Sequence, residues 1–223
     1  KSGLNPGQVG LINFVSKAES DHYSFELTPQ GMVKEGKVTF DLTVKNPDTA
    51  FPSVTPMIMP MMYMAGGHMH STPNAGCTVT DAEGVAECTV YFLMPSAMGN
   101  GDVMGNWDLK FSVGMGDAAE SVHFYPKVMM AMGDDTSKLM LMGDKAHLDA
   151  VTDMEGNPAG RSYFIYKDSI TGTTDDHSVK FFVATKDSMM SFPSLDAAGV
   201  DFVVNGVAAT SEGNGVWRAE NVT

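Results

Sequence analysis

The chain has 223 residues, room for one large domain or two small ones. Its 14 Lys and Arg against 27 Asp and Glu leave a net charge of −13, which argues against a phosphate-binding surface and so against a nucleic-acid partner. Apolar residues make up 43% and charged residues 18%, a balance that folds rather than stays disordered, and the nineteen methionines are the one excess.

Helical periodicity is scarce. Apolar residues alternate in short runs bounded by Gly, Pro, Asn and Asp, the pattern of antiparallel strands. The expected strands of the first half are 22–28, 37–45, 56–64, 77–80, 86–94, 106–113 and 121–130. Seven strands in about 110 residues match one immunoglobulin-like sandwich. Val38, Phe40, Leu42 and Val44 fall on one face, as do Trp107, Leu109, Phe111 and Val113. Gly133-Asp134-Asp135 interrupts the pattern, and a second set follows at 138–142, 147–151, 161–167, 178–185, 200–204 and 216–220. The expectation is an all-β chain of two tandem immunoglobulin-like β-sandwich domains, residues 1–132 and a smaller 133–223. Phe51-Pro52-Ser53-Val54 in the first half is echoed by Phe192-Pro193-Ser194-Leu195 in the second, a short hint of duplication.

Cys77 and Cys88 flank the turn signal Asp81-Ala82-Glu83-Gly84. A tight hairpin opposes them at about the ~4.5–5.5 Å Cα separation a disulfide requires. The rival reading, two thiolate metal ligands, lacks the short C-x-x-C form. A disulfide implies an oxidising compartment, here the periplasm or the cell surface. No stretch approaches the ~18–20 apolar residues of a membrane span. The chain begins at Lys1 without an initiator Met, as a mature secreted chain does, or a trimmed one.

The segment from Met57 to His70 holds six Met and two His in fourteen residues. Thioether sulfur is a soft, neutral donor and imidazole a borderline one. Calcium and magnesium want oxygen, and structural zinc wants Cys or His. Cu(I) fits best, with Ag(I) its chemical analogue. Thioethers need no deprotonation to bind and survive where thiols oxidise to disulfides. The candidate ligands are Met59, Met61, Met62, Met64, His68, Met69 and His70. In an extended segment Met57, Met59 and Met61 face one way, Met62 and Met64 the other. Pro60 cannot donate to a ladder, so the strand is an edge or carries a bulge. Gly66-Gly67 permits a turn that folds His68, Met69 and His70 back. The loop Met94–Met104 either completes this site, makes another, or packs. Met32, Met115, Met140, Met142 and Met154 read as interior packing, and Met129, Met130 and Met132 as packing between the two domains. His22, His123, His147 and His177 read as surface or hydrogen-bonded residues, with His123 the one on a strand leading to Met129.

Residues of about 20–128 resemble the YtkA-like/FixH-like family of extracytoplasmic β-sandwich modules. The resemblance lies in the run Lys37–Val44, then Met59-Pro60-Met61-Met62 and His68-Met69-His70, then Phe92-Leu93-Met94-Pro95 and Gly105-Asn106-Trp107-Asp108-Leu109-Lys110-Phe111. It implies an immunoglobulin-like fold and a non-enzymatic role in copper handling. The Cys pair and the Met98–Met104 loop depart from that pattern, and residues 134–223 match it much less.

No G-x-S-x-G, H-E-x-x-H or phosphate-cradling Gly loop occurs. Neither Cys has a His shortly after it, as a blue-copper centre would need. The expected function is therefore an extracytoplasmic protein that sequesters Cu(I) or delivers it to a copper-receiving protein. The alternative is a cell-surface structural or adhesion module whose acidic loops, such as Asp134-Asp135 and Thr174-Asp175-Asp176-His177, bind calcium weakly or serve as plain turns.

Overall fold

Strands dominate because the period-2 stripes have somewhere to go. In this computed structural model the described residues are 4, 7, 10–46, 55–80, 84–133, 138–143, 150–152, 155–173, 175–196 and 200–223. Contacts divide the chain into two compact units, 1–131 and 132–223.

The first unit contains β1 (Lys17–Glu19), β2 (Ser24–Pro29), β3 (Gly36–Lys45), β4 (Met57–Met64), β5 (Met69–His70), β6 (Asn74–Val79), β7 (Val85–Phe92), β8 (Gly105–Val113) and β9 (Glu120–Phe124). They form two antiparallel sheets, ordered β1-β2-β3-β7-β6 and β5-β4-β8-β9. Both expected stripes are buried and meet in one core. Phe25, Leu27, Val38, Phe40, Leu42, Val44, Val90 and Phe92 come from the first sheet; Met62, Trp107, Leu109, Phe111, Val122 and Phe124 come from the second. Each large side chain removed from water this way contributes roughly 1.5–3 kcal/mol, so the two-sheet packing fixes which face of β4 turns inward.

All seven expected strands of the first half appear with ends shifted by a few residues, and the last of them, 121–130, stops at Phe124. Two short strands, β1 and β5, lack any sequence pattern long enough to reveal them. The Phe51–Val54 half of the echo, the turn residues Asp81, Ala82 and Glu83, and Asp134, Asp135, His147, Met154 and Thr174 lie outside the described residues.

Cys77 and Cys88 are register partners on β6 and β7, bonded with Cα atoms 4.1 Å apart. The bridge closes a short loop of 11 residues' separation. Cross-linking a loop of that order constrains the unfolded chain by about 2–3 kcal/mol. The Cys77→Ser/Cys88→Ser protein is expected to lose that much in urea unfolding with an otherwise native fold. An unchanged midpoint would remove the bridge from the account of stability.

The second unit contains β10 (Lys138–Met142), β11 (Ala150–Thr152), β12 (Pro158–Gly160), β13 (Ser162–Thr173), β14 (Asp176–Lys186), β15 (Val203–Val204), β16 (Val207–Ala208), β17 (Thr210–Gly213) and β18 (Val216–Val222). Its main sheet is ordered β10-β13-β14-β18-β17, and β11-β12 and β15-β16 are separate two-stranded ribbons. Phe181, Val183, Leu195 and Trp217 form its core, with Ile165, Val179 and Phe202 packed against them. The indole N–H of Trp217 donates to the Leu195 carbonyl at 3.1 Å, which satisfies the one polar atom of a buried ring.

Candidate metal centre

The Met-rich strand β4 is held on one side along its whole length by β8, from Met57 against Ser112 to Met64 against Gly105. On its other side only Met62 and Tyr63 are paired, with His70 and Met69 of β5. Pro60 thus sits in the unpaired part of that edge, where a missing N–H costs no ladder bond. The Ser71 hydroxyl donates to the Pro60 carbonyl at 2.8 Å. The turn from β4 to β5 uses Gly67 at φ 85°, and the Met64 N–H donates to the His68 carbonyl at 2.9 Å. A Cβ on Gly105 would collide with the Tyr63 carbonyl, so glycine lets β8 start tight against Met64.

The sheet separates the seven candidate ligands. Met62, Met64 and His70 lie on the inner face: Met62 and His70 are buried register partners, and Met64 is half-buried against the core. Met59, Met61 and Met69 lie on the outer face, where Met59 pairs with Lys110, Met61 with Asp108 and Met69 with Tyr63. His68 is exposed in the turn. One ion cannot meet both faces of a strand, so at most the inner three can share one.

A further residue joins them. Met94 follows β7 and is half-buried against the core, as is Met104. The Met94 sulfur stands 3.2 Å from Nε2 of His70. On the other side of the ring, Nδ1 lies 2.7 Å from the Ser71 carbonyl oxygen. A carbonyl only accepts, so Nδ1 carries the proton. Nε2 faces the Met94 sulfur, carrying a lone pair in the neutral ring and an N–H that donates to the sulfur in the protonated ring. A histidine whose Nδ1 is engaged by a backbone carbonyl and whose Nε2 lies beside a thioether has two atoms that could share a soft ion. With metal–nitrogen and metal–sulfur lengths of about 2.0 and about 2.3 Å, as in zinc sites, the 3.2 Å separation closes at roughly 95–100°. Met62, opposite His70 in the register, is placed to supply a second thioether.

Trp107 orders this cluster. It is fully buried, pairs with Met62 across β4 and β8, and its indole N–H donates to the Met94 carbonyl at 3.0 Å. Its ring stands edge to face with His70 at 5.5 Å. Met94 was legible only as part of a Met-rich loop; its partnership with His70 depends on a bend of the chain after β7 that no periodicity marks.

The outer face carries a second polar group. The Asp108 and His123 side chains are 3% and 14% exposed, and Nδ1 of His123 lies 2.8 and 3.0 Å from the two Asp108 carboxylate oxygens. Tyr125 stacks on His123 with ring centroids 6.5 Å apart. Burial, then the Asp108 charge and Tyr63, push the Tyr125 hydroxyl up to about 12. Burial and Asp108 also raise that of Tyr63. Elsewhere, the Ser20 hydroxyl, the His22 N–H and the His22 ring hold Glu120 down to about 2, which gives His22 a structural job. No three His, Cys, Asp or Glu side chains converge among the described residues.

The raised phenol has a consequence at high pH. An unfolded tyrosine loses its proton near ~10, whereas folded Tyr125 keeps it to about 12. Between those values the folded state binds more protons, so stability falls as pH rises through the window. Asp108→Asn removes the negative charge and is expected to lower the Tyr125 midpoint in a phenolate titration. No change would exclude Asp108 as a cause.

No protein-family model, curated protein or solved structure matches the chain.

Proposed function

We propose that this protein is an extracytoplasmic Cu(I)-binding protein that sequesters the ion or passes it to a copper-receiving partner. The observation that carries the reading is the His70 imidazole, its Nδ1 bound to the Ser71 carbonyl and its Nε2 set 3.2 Å from the Met94 sulfur. Met62 adds a second thioether at the same end of the core, and half-buried Met64 and Met104 are further donors packed against it. Soft, neutral ligands favour a monovalent coinage ion over oxygen-seeking cations. The disulfide fits an oxidising compartment, and the motif resemblance to YtkA-like/FixH-like modules points the same way. No described helix is long and apolar enough to cross a membrane.

The test is a set of titrations of the full chain with Ag(I), with Cu(I) under a competing chelator, and with calcium. A ligand that binds only the folded state raises its stability, by about 2.7 kcal/mol at a hundred times Kd. Ag(I) and Cu(I) are expected to raise Tm and to change the emission of Trp107, read in a Trp217→Phe background. Calcium is expected to do neither. Unchanged melting with both coinage ions would remove the reading, and stabilisation by calcium alone would favour the structural or adhesion module.

A further inference from the structure

The methionines are distributed opposite to the other large apolar residues. Twelve of the eighteen described methionines are exposed: Met32, Met57, Met59, Met69, Met98, Met115, Met129, Met132, Met140, Met142, Met189 and Met190. Among the described residues only Met62 is fully buried, while Leu, Val, Phe and Ala fill the interior. Interior packing, expected for Met32, Met115, Met140 and Met142, is corrected by their exposure of 61–79%. Met129 and Met132, one in each unit beside the boundary, are exposed at 52% and 77%.

A role in packing does not explain this, because packing side chains are inside. One docking surface would have to gather methionines from many separate elements into a contiguous patch. Met32 lies between β2 and β3, Met57 begins β4, Met98 follows β7, Met115 follows β8, and Met140 and Met142 are on β10 of the other unit. What the twelve share is a solvent-facing thioether, and the chemistry of that group in water is two-electron oxidation. Sulfoxide formation turns an apolar side chain polar, which disrupts a core but costs little at an exposed position.

We propose that the exposed methionines form a reducing layer that consumes peroxide ahead of the inner donors His70, Met94 and Met62. What the layer protects rests on the copper reading; the consumption itself does not. The sulfur lone pair attacks one oxygen of hydrogen peroxide, and an S–O bond forms as the O–O bond breaks. Hydroxide leaves with the electron pair, takes the proton from the transferred hydroxyl, and departs as water. Sulfur is oxidised by two electrons and peroxide is reduced by two. A methionine sulfoxide reductase is the class of enzyme that would restore the thioether.

The experiment treats the full metal-free chain with rising hydrogen peroxide and maps added oxygen by peptide mass. The exposed twelve are expected to oxidise first, with Met62, Met94, Met64 and Met104 last, and with Trp emission and Tm kept while the first group is consumed. Met94 or Met62 oxidising alongside Met115 and Met132, or unfolding after the first few oxygens, would overturn the proposal. A second arm uses limiting peroxide on a variant with Met32, Met57, Met98, Met115, Met129 and Met132 replaced by Leu. The share of oxygen on Met94 is expected to rise about two-fold, and an unchanged share would also overturn it. Ag(I) binding is measured before and after treatment. Absence of binding before treatment counts against the copper reading alone, because the order of oxidation is read without metal.

Discussion

Replacing His70 by Ala is expected to weaken Ag(I) and Cu(I) binding about 1,000-fold, or ~4.1 kcal/mol. His70 supplies the single nitrogen of the inner cluster, and its ring is set by the Ser71 carbonyl and faces the Met94 sulfur. Losing it removes the best donor and leaves only thioethers. Met94→Leu keeps the packing volume and is expected to cost less, about 10–100-fold, since Met62 and Met64 remain at the same end of the core. Met59→Leu and Met69→Leu are expected to change nothing, because the sheet puts both on its other face. Competition titrations against a chelator of known affinity read all four. Equal losses at Met59 and His70 would mean that the ion binds across the strand edge and not within the core.

Replacing His123 by Ala is expected to destabilise the first unit by about 3–5 kcal/mol, the cost of leaving a buried charge without its partner. Asp108 is nearly inaccessible to water, and both of its carboxylate oxygens lie within hydrogen-bond distance of His123 Nδ1. Removing the carboxylate as well should relieve most of the loss, so the Asp108→Leu/His123→Ala protein is expected to be more stable than His123→Ala. Denaturant unfolding of the set reads this cycle directly. A His123→Ala protein as stable as the parent would show that Asp108 does not depend on this partner. The double variant falling further than the single one would show that the pair contributes net stability.

The two-sheet architecture was legible because half-buried antiparallel strands leave an alternating record. Val38 to Val44 and Trp107 to Val113 alternate without a break, and both stripes are core. The hairpin disulfide was legible for the same reason: a turn signal centred between two Cys makes them register partners. The candidate site was legible in part. Alternation along β4 already placed Met62 and Met64 opposite to Met59 and Met61, yet composition alone grouped all of them. The thioether in contact with the imidazole, Met94, comes from a loop 24 residues further on, and loops carry no period. Asp108 escaped notice because an outward position on a strand ordinarily means solvent. Here Tyr63, His123 and Tyr125 crowd that position, and each belongs to a different strand or lies just past one. Exposure of the methionines was likewise invisible, since a thioether scores as apolar whether it faces the core or the water.

The most direct measurement is the tautomer of His70 by long-range proton–nitrogen NMR on histidine-labelled protein, with and without one equivalent of Ag(I). The metal-free protein should show the neutral ring protonated on Nδ1, with a bare Nε2 whose resonance moves on addition of Ag(I) while Nδ1 stays protonated. A proton on Nε2 of the neutral ring, or an Nε2 signal that ignores the ion, would contradict the account.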